Sequence, residues 1–417
     1  MSTSQQSPFH RHQFANGLTL VVEQNPHAHT AAIGFFARVG GRDEDPAIMG
    51  VSHFLEHMMF KGTARRTADD VNREFDEIGA DYNAYTSQEM TVYYAQVLPE
   101  YFPRAVDLLG DMFRPALRDD DFNMEKNVIL EEISMYEDRP QSRMQDLLIE
   151  TYFAGHPLSH RVLGTAETVA GMSVESMRTY FQNRYSPDNI VIAAAGRFDL
   201  DALIADIEKV TGHWQPTGVT RFLDPPVAEA REVNLVDETV ARHYISLLCP
   251  GPSAQDPRRY AAAVLSHVLG DVEGSRLYWS LVDPGLSDEA DFEHYAQDHA
   301  GSFCAFAACH PDDAEEVESI LLGELDHIRD GVDEHEVRRA KHKLATETTL
   351  SGESPGGRMR ALGNNWAYLQ RYIPLKEDLD MLMAVTPDDV HALLKDMPLS
   401  PRTIVRLGPG RVRHAQE

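Results

Sequence analysis

The sequence predicts an α+β protein of two related domains, each a mostly antiparallel sheet packed with helices. Three observations carry that expectation. At 417 residues the chain is longer than one ordinary core sustains. One succession, an apolar strand, a Gly- or Pro-bearing loop and an apolar helix, occurs twice: FFARVGG, Pro46 and IMGVSHFLEHMMF, then HYISLLCPG, Pro257 and RYAAAVLSHVLG. Between the two copies, residues 215–229 hold Pro216, Pro225 and Pro226 without periodicity and read as a linker. The expected domains are therefore 1–214, which bears the chemistry described below, and a related 230–417 without it.

Within the first half, LTLVVEQ and TAAIGFFARV flank a turn at Asn25-Pro26 and read as strands. IMGVSHFLEHMMF has the length and lack of breakers of a buried helix, which Gly62 and Thr63 end. Thr67, Asp69 and Asp70 begin a helix over 67–78. DYNAYTSQEMTVYYAQVL alternates and is rich in Tyr, Thr and Val, as a strand or hairpin is. Helices over 103–112 and 119–136 follow, with further helix to about residue 153. NIVIAAAG, closed by Gly196, is a short strand, and 201–211 is helical.

Charge excludes one class of partner. With 38 Lys+Arg against 66 Asp+Glu the formal net charge is −28, which repels phosphate backbones and argues against nucleic-acid binding. No apolar run has the length of a membrane span. The polar opening MSTSQQSPFHRHQF is not a signal peptide, so a cytoplasmic protein of bacterial type is expected. Cys249, Cys304 and Cys309 are odd in number, lack metal-pair spacing and read as small buried residues.

The strongest chemical signal is His53-Phe54-Leu55-Glu56-His57. Helical residues four apart share a face, so both imidazoles can address one ion. Glu56, three residues after His53, projects to the same side and can reach a water there without being a ligand. Catalytic zinc takes three protein ligands and keeps one open position, and a carboxylate commonly completes the set. Such an ion acidifies its water and polarises a scissile carbonyl, while a nearby glutamate takes a proton and returns one to the leaving amine. The plainer alternative, a helix with two satisfied core histidines, strands the Glu56 carboxylate in apolar surroundings at high cost.

The third ligand must come from another element. DFNMEKNVILEEISMYED, over 121–138, is helical, and Glu125 and Glu132 share a face seven residues apart. Glu131 lies about a hundred degrees round the helix and competes with Glu132. Periodicity leaves the choice open, because Asp121, Glu125 and Glu132 also form a stripe that solvent could cover.

GVSHFLEHMMFKGT, GADYNAYTSQEMTVYY, EKNVILEEISMYED and YSPDNIVIAAAG resemble, in order, blocks of the pitrilysin/insulinase family of inverted-motif zinc metallopeptidases, and most of all its short two-domain branch of processing-type peptidases. The resemblance is strong over roughly the first 200 residues and weak beyond them. It implies Zn2+ as cofactor, Glu56 as general base and Glu132, the second acid of VILEEI, as distal ligand. Glu125 matches a residue that supports catalysis close to the metal. Asn83, Ala84, Tyr85 and Thr86 match the edge strand on which extended substrate adds through main-chain hydrogen bonds; Asn83 by itself reads equally as a turn residue. The implied assembly is a clam-like chamber around peptide or unfolded protein.

The match fails at one place. Active members resemble one another in an arginine and a tyrosine of the second domain that stabilise the oxyanion and orient substrate. GSRLYWSLVDPGLSDEADF keeps Gly274, Ser275, Arg276 and Leu277, but Val282 stands at the arginine position and the tyrosine position falls near Asp288. Tyr295 is the nearest substitute and otherwise reads as a packed strand residue. The resemblance thus implies a zinc metalloendopeptidase acting as the catalytic half of a heterodimer whose sibling supplies the Arg/Tyr pair, with a homodimer as the second arrangement. The alternative function is a zinc-binding but noncatalytic scaffold or substrate-binding subunit.

Overall fold

The computed structural model describes residues 8–410. Strands β1 (Phe9–Gln13), β2 (Thr19–Gln24), β3 (Ala31–Ala37), β4 (Asp81–Thr86), β5 (Thr91–Val97) and β6 (Ile190–Gly196) form a six-stranded sheet in the order β1-β2-β6-β3-β5-β4. Strands β7 (Arg231–Val236), β8 (His243–Pro250), β9 (Ser287–Gln297), β10 (Ala300–Cys309) and β11 (Thr403–Gly408) form a five-stranded sheet in the order β7-β11-β8-β10-β9. Each sheet has one parallel pair, β2–β6 and β7–β11, and is otherwise antiparallel. Without β1 the two orders are the same, which is the internal relationship expected of the halves.

Helices of the first half are α1 (Val51–Met59), α2 (Ala68–Glu77), α3 (Phe102–Met112), α4 (Asp119–Glu137), α5 (Pro140–Tyr152), α6 (Ala166–Gly171), α7 (Val174–Arg184) and α8 (Leu200–Thr211). Those of the second are α9 (Arg259–Gly270), α10 (Ala314–His327), α11 (Glu334–Glu353), α12 (Pro355–Leu369), α13 (Leu375–Ala384) and α14 (Pro387–Asp396). Among the described residues no helix is long and apolar enough to cross a membrane.

The two compact units are not contiguous in sequence. The first takes the chain up to Ser134, then 160–222 and 348–377; the second takes 135–159, 223–347 and the chain from Asp378. Helix α5 therefore packs on β8 and β11 of the second sheet, and α12 packs on β2, β3 and β6 of the first. The all-apolar β3 explains why the first sheet needs α12: both its faces are buried. Ile33 and Phe35 face a core with Phe54 and Leu55 of α1 and Val106 of α3, whereas Ala32 and Phe36 face Met359 and Leu362 of α12. Gly363 permits this approach, since a Cβ there would lie 2.2 Å from the Phe36 ring.

Strand β1 occupies part of the polar opening, where the residues suggested no element. It pairs antiparallel with β2, Phe9 opposite Glu23, and Phe9 stacks on Tyr372 at 4.1 Å. Residues 215–230 form no regular element, and the three cysteines are buried and free.

Candidate metal centre

The site begins with the way α1 starts. Gly50 has φ 93°, a left-handed conformation that favours glycine, and the Glu44 carboxylate accepts from Gly50 N and Ser52 N at 2.7 Å each. Burial pushes the Glu44 carboxyl up to about 8, against the opposing pull of those two N–H groups. The apolar positions Val51, Phe54, Leu55, Met58 and Met59 lie in the first core, so the helix presents its histidines on a fixed face. His53 and His57 have ring centroids 4.8 Å apart.

Helix α4 is fixed against α1 by its own apolar row. Phe122, Ile129 and Ile133 enter the same core, and the Phe122 ring stacks on Phe54 at 4.6 Å. That register brings Glu132 Oε2 to 3.8 Å from His53 Nε2 and 3.7 Å from His57 Nε2. One donor atom from each of the three residues lies within 4.8 Å of the others. Two ligands of a tetrahedral zinc, at bonds of about 2.0–2.2 Å, stand about 3.3–3.6 Å apart, so the donor set suits the ion in chemistry and in spacing. Glu131 is solvent-exposed and outside this group.

Glu125 is 4% exposed. Its Oε2 accepts from His57 Nδ1 at 3.1 Å, and its Oε1 pairs with Lys61 Nζ at 2.6 Å. A carboxylate only accepts, so the His57 proton sits on Nδ1 and the lone pair on Nε2 faces Glu132. His53 Nδ1 is buried and has no hydrogen-bond partner among the described residues. Burial, reinforced by His57, lowers His53 to about 4, which keeps its ring neutral at pH 7, the form that ligates.

Glu56 accepts at Oε2 from Thr86 Oγ1 at 2.5 Å. Burial pushes its carboxyl above the ordinary carboxylate range, while the Thr86 hydrogen bond and then His57 pull it back. Asn83, Ala84, Tyr85 and Thr86 all lie on β4, which among the described residues pairs with β5 alone and stands at the edge of the sheet. Asn83 is exposed, and its Oδ1 accepts from Ala84 N at 2.8 Å. Along β4, Tyr82, Ala84 and Thr86 are the half-buried positions, which sets the Thr86 hydroxyl on the side where it meets Glu56.

Residue reasoning did not single out Lys61, Glu44 or the side chain of Thr86. Lys61 lies in the turn just past the end of α1, where helical spacing gives no cue to its pairing with Glu125. The other two act across loops and strands, where spacing gives no cue. In the second unit, Val282 packs against the core, Asp288 pairs with Arg242 at 2.9 Å, and the Tyr295 hydroxyl donates to Glu293.

Comparison with known proteins matches residues 19–166 to the family described as Insulinase (Peptidase family M16) and residues 171–344 to the Peptidase M16 inactive domain. An uncharacterized zinc protease of Bacillus subtilis is 34% identical over 93% of this chain and 95% of its own. One of Streptomyces coelicolor is 32% identical over 96% of this chain and 89% of its own. A solved protease from Helicobacter pylori superposes with a TM-score of 0.88 at 19% identity, covering 97% of this chain and 100% of that one, and so shares its fold. Paired domains of this topology, with an inverted His-x-x-Glu-His helix facing a carboxylate, define a two-domain class of metallopeptidase-like chains. This chain belongs to the insulinase family of peptidases, family M16.

Proposed function

We propose that the chain is a zinc-dependent endopeptidase that hydrolyses peptides or extended protein segments. The observation that carries this reading is the convergence of His53, His57 and Glu132, with Glu56 on the same helix and held by Thr86. Zinc held by those three residues would supply Lewis-acid polarisation of the scissile carbonyl and acidification of the attacking water. Glu56 takes the proton of that water and delivers one to the leaving amine. Its raised affinity for protons, a consequence of burial, suits a group that must both accept and donate. Glu125 and Lys61 hold the His57 ring in one tautomer. The open edge of β4 receives the extended substrate as a further strand, which aligns its carbonyl with Glu56.

The chain acts in this reading as the catalytic half of a dimer, because neither Val282 nor Asp288 can stabilise an oxyanion as an arginine and a tyrosine would. The same two residues favour one alternative, a zinc-binding subunit that recruits substrate without cleaving it. Hydrolysis of a quenched-fluorescence peptide library by the zinc-loaded chain, alone and with a sibling subunit bearing the Arg/Tyr pair, separates the two. Cleavage that disappears in Glu56→Gln supports the peptidase. Bound zinc without cleavage in either pairing supports the recruiting subunit.

A further inference from the structure

One face of the edge strand β4 carries hydrogen-bond donors that meet no acid. Tyr82 and Ala84 pack into the core with α1 and Thr86 bonds to Glu56, so the alternate residues Asp81, Asn83 and Tyr85 stand on the other face. In register, Tyr94 of β5 lies opposite Asn83 and Val92 opposite Tyr85. Both share that face, where they pack with Phe36 of β3 and with Met359 and Leu362 of α12. Arg360 of α12 reaches the same place, its guanidinium carbon 5.6 Å from the centroid of the Tyr94 ring. Burial pushes the Tyr85 phenol up, and the charge of Arg360 acts against that rise. Tyr85, Tyr94 and Arg360 all belong to the first compact unit.

Two arginines of α12 differ in a telling way. Arg358 is buried and pairs with Glu23 at 2.6 Å. Arg360 is exposed, and among the described residues no carboxylate pairs with it, although the chain carries a net charge of −28. The Tyr85 and Tyr94 hydroxyls likewise have no hydrogen-bond partner among the described residues, and Tyr85 is 37% exposed. The one acid of β4 on this face, Asp81, stands at the far end of the strand opposite Gln96. A guanidinium resting over an aromatic ring is restrained before anything binds, so an incoming carboxylate gives up less entropy in engaging it.

A strand that pairs with β4 puts every second side chain on this face, because residues opposite one another in a sheet share a face. Those opposite Ala84 and Thr86 turn toward Glu56, and the one opposite Tyr85 meets Tyr85, Tyr94 and Arg360. We infer that Arg360, together with Tyr85, is a specificity-determining residue that selects an extended substrate with an aspartate or glutamate opposite Tyr85. The inference rests on the proposed pairing of substrate with β4, and it names the substrate class as segments with an acidic side chain beside the residues that face Glu56. The rest of the acidic chain repels such a side chain, which confines the selection to the one position that Arg360 reaches.

Fluorescence-anisotropy titration of the zinc-loaded, full-length Glu56→Gln chain tests this without requiring cleavage. The probes are three end-blocked, strand-forming Thr/Val peptides that differ only in a central glutamate, glutamine or lysine. The glutamate peptide is expected to bind about three- to tenfold more tightly than the glutamine peptide, a margin that narrows as salt rises. The margin should vanish in Arg360→Met, and Arg360→Glu should shift the preference to the lysine peptide. Arg360 is exposed, so neither variant disturbs a core. Equal binding of the glutamate and glutamine peptides, or a glutamate preference unchanged in Arg360→Met, overturns the inference and leaves the pairing on β4 standing. Failure of all three peptides to bind overturns both. A preference that depends on Arg360, in a parent chain that cleaves nothing, supports the inference while contradicting the peptidase.

Discussion

Glu125 stands behind His57, not among the three converging donors: its Oε2 accepts from His57 Nδ1 at 3.1 Å while Glu132 Oε2 faces the opposite ring nitrogen at 3.7 Å. The two glutamates of one helical face thus have different work, one orienting the ring and one completing the donor set. Glu125→Gln keeps the shape but weakens the acceptor, so zinc affinity measured by chelator competition should fall by about 10–100-fold. Lys61→Met should lower it in the same direction by less, because Lys61 reaches His57 only through Glu125. Unchanged affinity in Glu125→Gln would remove it from the orienting role.

Thr86 holds Glu56 by a single hydrogen bond at 2.5 Å. Thr86→Val removes the donor with little change of volume. A hydrogen bond to a charged group contributes about 1.5–3 kcal/mol, so peptide-cleavage kcat should drop about tenfold or more while zinc affinity stays as in the parent. A loss in zinc binding instead would show that Thr86 supports the fold of the site and not the base.

Acid should destabilise the zinc-free chain through His53. In the fold His53 titrates at about 4, below its ordinary 6.5, so the unfolded chain takes up a proton that the folded one refuses. The contribution is therefore complete above pH 6.5 and is lost as pH falls toward 4, to a limit on the order of 3 kcal/mol. Urea unfolding across that window measures it. His53→Gln, which cannot titrate, should show a shallower decline than the parent, and an equal decline would assign the effect elsewhere.

The close seat of α12 on β3 gives a stability test far from the site. Gly363→Ala places a Cβ 2.2 Å from the Phe36 ring, which is fully buried and cannot withdraw. Overpacking of this kind costs about 1–3 kcal/mol, to be read as a shift in the urea midpoint without a change in slope. No shift would mean that α12 leaves β3 more room than the close approach implies.

The strands and helices around the His-x-x-Glu-His segment were legible because their signals are local. The apolar run of α1, the Thr67 capping box of α2 and the alternation in β4 and β5 each lie within one stretch of chain. Glu132 and Glu131 could not be separated by period, since what divides them is the Phe54–Phe122 stack that sets the turn of α4 against α1. Strand β1 was hidden because Phe9 is its one apolar residue and His10, Arg11, His12 and Gln13 show no apolar alternation, and the pairing with β2 supplies what the side chains do not. The seats of α5 and α12 were equally invisible: each helix has an ordinary amphipathic pattern, and no local feature says which sheet it covers.

X-ray absorption at the zinc edge, with zinc stoichiometry, tests the donor set most directly. The parent chain and Glu131→Gln should each hold one zinc with two imidazole nitrogens and a carboxylate oxygen at about 2.0–2.2 Å, and Glu132→Gln should lose that ion. Zinc retained unchanged in Glu132→Gln, or a coordination shell containing sulfur from Cys249, Cys304 or Cys309, would contradict the account.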